Sequence, residues 1–382
     1  DKNTALGKGA LSANTTADGN TGVGWDALVA NTTGANNTAV GANALDANTT
    51  GTHGVAFGVH ALGGNTEGDH NVAIGNYALL AATTGDNNTA VGTSSLQSNT
   101  TASHNTAIGY QALYLNTTGT NNTAVGRVTL TNNTTGNSNT ALGVGALGNS
   151  TTAIENTAVG RDALYANTTG QYNVAVGHQA LDANTTGEKS TAVGRSALSN
   201  STTGLRNAAV GYVSLLANTT GNYNTALGTE ALYSNTTGHQ NTAVGYHALY
   251  LATTADTNAA CGDYALGQST TGTCNVALGH AAGYHVTTGS HNVIIGKDAG
   301  RSNSPSGQIT TQDNIAVIGH SAIANAYCNV AWATSSDRRD KTDITPFTHG
   351  LSWINKLNPV TYRWDNRSFY DDGKPDGSKK QT

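Results

Sequence analysis

The chain has 382 residues and a formal net charge of −5, with 47 glycines and 4 prolines but only 11% charged and 6% aromatic residues. So few bulky side chains exclude a large mixed core, and the acidic balance argues against a duplex nucleic-acid binder. No run of 18 apolar residues occurs, so no apolar membrane-spanning helix is expected. Methionine is absent and the sequence opens Asp1-Lys2-Asn3 without a secretion leader, so a piece of a longer product is expected.

From Asn3 onward one pattern repeats every 17 residues, through Asn20, Asn37, Gly54 and Asn71 to Asn292, giving 18 consecutive copies without insertion. A typical copy, residues 37–53, reads NTAVGANALDANTTGTH. Numbering its columns from one, the fifth is glycine in all 18 copies, the signature of a positive φ or of a close backbone approach. The fourth column is apolar throughout, with Cys261 as its odd member, and the ninth is leucine in 16 copies, failing at Gly283 and Gly300. Alanine fills the third column in 16 copies and the eighth in 15, while threonine fills the thirteenth in 17.

These columns predict a short strand, a corner, a second short segment and another corner. Glycine in every copy and Asn-Thr-Thr-Gly corners exclude helix. Seventeen residues per copy are too few for a helical-pair repeat and fit one coil of a parallel β-solenoid. At one strand spacing per coil the rod would be roughly 86 Å long. Alternation along the strand puts columns two and four on one face and column three on the other. The expectation is that the Val/Ile/Leu and Leu columns stack as the core, with the alanine column facing away. An outward column restricted to alanine then implies a second close contact, most simply three rods packed along a common axis.

Columns one and twelve are mostly asparagine, suited to a ladder of side-chain hydrogen bonds along the stack. Ten Asn-Thr-Thr triplets at column twelve are also formal glycosylation sequons, but corner chemistry already accounts for them. The variable columns six, seven, ten, eleven, sixteen and seventeen carry all 12 tyrosines and 10 histidines of the repeats, and Trp25. Exposed rings there could stack on sugars or partner surfaces, or equally fill gaps between subunits. No short His/Cys/carboxylate cluster has metal-ligand spacing, so neither a metal nor a cofactor is expected. Cys261, Cys274 and Cys328 occupy dissimilar positions and read as free thiols.

The motifs NTAVG and NVAIG (Asn71–Gly75) resemble the head repeats of trimeric autotransporter adhesins over about residues 3–300. That resemblance implies left-handed parallel β-rolls, three chains side by side, although the coil here is longer than the family's usual repeat. The fold class expected is therefore all-β, a trimeric parallel β-roll, followed by the start of an α+β C-terminal domain.

The pattern breaks after Gln308. We delimit residues 1–308 as the roll, 309–335 as one degenerate coil (Asn314–Gly319) and a bridge, and 336–382 as a new domain. Those last 47 residues hold 9 of the 18 Lys and Arg and two of the four Trp. Leu351, Ile354 and Leu357 predict an amphipathic helix, Asn358-Pro359 ends it, and residues 360–364 read as a strand. The run SDRRDK-TDI from Ser336, with LNPVTYRW from Leu357, resembles the start of the intramolecular chaperone of endosialidase type, the S74 self-cleaving peptidases of phage tail fibres and tailspikes.

By that resemblance Ser336 would attack the carbonyl of Ser335, with Lys341 as proton acceptor and donor, and the cut would fall between Ser335 and Ser336. A lysine can serve as base where burial lowers its pKa. Asp340 stands where the family pattern has an apolar residue, and the chain stops in a hydrophilic tract, 376–382, before a whole chaperone domain is complete. The expected function is a structural and host-binding fibre on a virion tail, or otherwise at a cell surface. It would be a homotrimer, contacting a host surface receptor such as a glycan, with no nucleic-acid partner and at most one self-cleavage as its chemistry. A bacterial trimeric adhesin with the same chaperone is the alternative, and an ice-binding solenoid, suggested by threonine columns two and thirteen, is a third class. An external glycosidase would need paired carboxylates, and Asp46, Glu67, Asp162 and Glu230 are scattered.

Overall fold

The computed structural model describes residues 2–323. Nineteen strands of three residues each, from β1 (Thr4–Leu6) to β19 (Ala316–Ile318), form one parallel sheet, and no helix occurs among the described residues. Each strand pairs with the next in sequence. β2 (Thr21–Val23) meets β3 (Thr38–Val40) with Thr21 opposite Thr38, a shift of one repeat. The all-β parallel solenoid expected from the repeat is thus the fold. Columns eight to eleven form turns rather than a second strand.

Backbone hydrogen bonds also join successive coils outside the strands, such as Gly41 N to Val23 O at 2.8 Å and Leu45 N to Ala61 O at 3.1 Å. The fifth-column glycine needs both of the freedoms its invariance implies. Gly41 has φ 140°, and a Cβ there would lie 2.4 Å from the carbonyl oxygen of Gly58 in the next coil.

The core is built with the opposite phase from that expected. Third-column alanines such as Ala39, Ala56 and Ala158 are fully buried, and they pack with the eighth-column alanines and ninth-column leucines. The fourth column faces outward: Phe57, Ile74, Ile108, Leu142 and Leu278 are 40–50% exposed. Cys261 is exposed with them rather than part of the core. The two faces alternate along the strand as expected, but the interior of so narrow a coil holds one bulky column. Leucine occupies it, so the strand opposite can present only a methyl group.

Leucine enters by way of a strained backbone. Leu28 and Leu45 have φ of 55° and 53°, a left-handed conformation repeated down the leucine column. That conformation costs roughly 1–2 kcal/mol per residue. Full burial of each leucine contributes about 1.5–3 kcal/mol, enough to offset it.

The end of the rod departs from the rule by a compensated exchange. Glycine replaces leucine at Gly283 and Gly300, while Ile294 replaces the third-column alanine. A Cβ on Gly283 would lie 2.9 Å from Cδ1 of Ile294, and one on Gly300 would lie 3.4 Å from its Cγ2. One isoleucine from the strand side therefore fills space that two leucines vacate. The degenerate coil follows after a register of 23 residues, Val293 opposite Ala316, with Ile309 and Val317 buried in the core.

Candidate functional site

The buried asparagines serve the fold. In the coil from Asn37, the Asn37 N–H donates to Oδ1 of Asn20 one coil earlier (2.9 Å), and its amide group donates to the Gly51 carbonyl (2.8 Å). Asn48 Nδ2 donates to Oδ1 of Asn31 (2.7 Å) and to the same Gly51 carbonyl (3.0 Å). Asn48 and the other sequon asparagines of column twelve from Asn31 to Asn235 are buried, which rules them out as exposed acceptors of a glycan, whereas Asn14 in the first coil is only half-buried. The thirteenth-column hydroxyls are likewise engaged: Thr49 Oγ1 donates to the Thr66 carbonyl of the next coil at 3.0 Å. That column presents no row of free hydroxyls to ice.

Two outward surfaces remain. The first is the stripe of columns two and four, where Thr, Val or Ala in column two alternates with Val, Ile or Leu in column four, apart from Phe57 and Cys261. Monomeric proteins seldom expose an apolar stripe of such length.

The second is the array of rings on the turn columns. One coil rise brings equivalent rings into stacking range: His53 and His70 have centroids 4.8 Å apart with an interplanar angle of 3°, and Tyr233 and Tyr250 stack at 5.2 Å. Cations join the same ladders, as where Arg206 lies over the Tyr223 ring and donates to its hydroxyl at 2.7 Å. Rings concentrate in the last four regular coils. His247 stacks on Tyr246 (3.8 Å) and on Tyr250 (4.3 Å), and its Nε2 lies 2.5 Å from Oε2 of Glu230. Tyr264 meets Tyr284 edge to face at 6.0 Å. Arg301 lies over the Tyr284 ring at 5.5 Å and donates to Asp298 at 2.7 Å.

A hollow of about 370 Å³ opens between Tyr264, His280, Ala281, Tyr284 and Arg301. A second, of about 190 Å³, is lined by the same two tyrosines together with His247, Tyr250, Gly267 and Gln268. Burial pushes the Tyr246 and Tyr250 hydroxyls above the usual phenol range. His285 is lowered, first by burial and then by the charge of Arg301. Sequence reasoning placed these rings outside but did not single out this cluster. Its signal was present as Tyr250, Gly267 and Tyr284 in one column, a missing side chain between two rings.

Among the scattered acids, burial raises the carboxyls of Asp46 and Asp182, the latter against a 2.6 Å hydrogen bond from Ser199. Cys261 and Cys274 are free thiols. No group of three or more potential metal ligands occurs among the described residues. Ser335, Ser336 and Lys341, with the predicted helix around Leu351 and the strand at 360–364, lie outside the described residues, as does Cys328.

Comparison with known proteins bears on that C-terminal segment. Residues 336–382 match the family model described as the chaperone of endosialidase, Peptidase S74. The solenoid therefore leads into an S74-type chaperone segment. The match begins at Ser336, the residue that the SDRRDK-TDI resemblance marks as the nucleophile. No curated protein and no solved structure matches the chain.

Proposed function

We propose that the chain is the shaft or head of a phage tail fibre-like protein, assembled as a homotrimer, contacting a host surface and released from its chaperone by one self-cleavage. The observation that carries this is the S74 chaperone segment directly following a uniform parallel solenoid. Thin rods of repeated coils bury little per coil, so a dedicated chaperone that holds three chains in register meets a physical need. The outward stripe of columns two and four supports the trimer, since packing three stripes together would remove the longest apolar surface from water.

Self-cleavage would use only the chain's own groups. With Lys341 neutral, its amine takes the Ser336 hydroxyl proton as Oγ attacks the Ser335 carbonyl carbon. The amide C–N bond then breaks, Lys341 returns the proton to the Ser336 nitrogen, and an ester joins Ser335 to Oγ. Water hydrolyses that ester, leaving a Ser335 carboxylate and a free Ser336 amine. Expressed from its full gene, the protein should yield two fragments whose masses place the cut between Ser335 and Ser336, and Ser336→Ala should stay whole. An intact wild-type product, or equal cutting of Ser336→Ala, would overturn the assignment.

A further inference from the structure

The hollows beside Tyr264 and Tyr284 lie where two small residues stand among rings. Column ten runs Tyr250, Gly267, Tyr284, so glycine separates two rings, and a Cβ on Gly267 would lie only 3.0 Å from the Tyr284 ring. Column seven runs His247, Tyr264, Ala281, so a methyl group follows two rings. The result is a pair of adjoining open depressions that share Tyr264 and Tyr284 as a common wall. They lie on the turn columns, away from the apolar stripe of columns two and four.

We propose that these two hollows form a saccharide-binding site that takes adjacent pyranose units of a neutral glycan. Pyranoses present a face of C–H groups and an edge of hydroxyls, and tyrosine and histidine rings match both, with an apolar face and a polar tip. Gln268 and the Arg301 guanidinium add hydrogen-bonding groups at the rim. Charge does not favour an anionic ligand, because the Arg301 guanidinium is held by Asp298 and offers no uncompensated positive charge. A hollow near 370 Å³ falls within the range of small-ligand sites. The inference rests on the host-contacting fibre function and gives it a location and a ligand class.

The test applies the full chain to an array of neutral, sialylated and sulfated oligosaccharides. Neutral structures should retain it, and Tyr264→Ala and Tyr284→Ala should each weaken binding about tenfold. Ala281→Tyr places in column seven a residue that Tyr77 and Tyr264 already carry there, so it fills the larger hollow within a tolerated backbone and should abolish binding. Trp25→Ala, far along the rod, should bind as wild type, and circular dichroism melting checks that each variant folds. Silence on the array, retention by anionic structures alone, or binding unaffected by both Tyr264→Ala and Ala281→Tyr would overturn the site. A trimer cut at Ser336 that ignores every glycan overturns the site and leaves the fibre function standing. An uncut monomer that binds neutral sugars does the reverse.

Discussion

Each buried asparagine in columns one and twelve is held by its neighbour one coil away, so the ladder is sensitive to any residue that breaks it. At Ala82 and Ala252 the amide is missing, and Oδ1 of the preceding Asn65 and Asn235 is buried without a partner. An unsatisfied buried acceptor costs about 1–3 kcal/mol, whereas a made bond contributes only about 1 kcal/mol. Ala82→Asn should therefore raise stability by about 1 kcal/mol, and Ala252→Asn likewise, as measured by denaturant unfolding. Asn48→Ala should lower it by about 1–3 kcal/mol, because it removes donors from Asn31 and Gly51 together. The asparagine columns were legible in the sequence as a ladder. Their convergence on the column-fifteen carbonyl was not, because columns one and fifteen meet only once the coil closes.

A single coil buries one leucine and two alanines, so no coil is an independent element and stability accrues between neighbours. The last regular coils show how strictly volume is matched. Ile294→Ala should cost about 2–4 kcal/mol through the cavity it leaves beside Gly283 and Gly300. Restoring leucine at both glycines in that variant should recover most of the loss, since leucine already takes the left-handed backbone elsewhere in column nine. Thermal melting of Ile294→Ala and of the triple variant measures both effects. In the sequence Gly283 and Gly300 are two exceptions in column nine, with nothing to tie them to Ile294 in column three. Their contact across the coil makes them one substitution.

At the scale of the whole rod, the proposed trimer would have the outward stripe serve assembly and the inner face serve protomer folding. Val159, Val176 and Val193 project from the face opposite the fully buried Ala158, Ala175 and Ala192. Replacing the three valines by serine should leave the circular dichroism of the solenoid unchanged while shifting the mass in light scattering from trimer to protomer. Ala175→Val, on the inner face, should instead destabilise the protomer by about 1–3 kcal/mol through overpacking. A wild-type chain that is monomeric in solution would refute the trimer.

Period, parallel pairing and the exclusion of helix followed from the sequence alone, because one strand, one invariant glycine and one corner recur every 17 residues. The kinship of residues 336–382 was also legible, carried by a contiguous motif that does not depend on folding. Which face of the strand looks inward was decided only by the tertiary structure. Alternation defines two faces but not their sense, and the choice depends on the leucine that enters from the far side of the coil. The ring-lined hollows were decided there too, since Gly267, Ala281 and the rings around them, from His247 to Tyr284, spread over more than two repeats in sequence. They become neighbours when three successive coils stack one strand spacing apart.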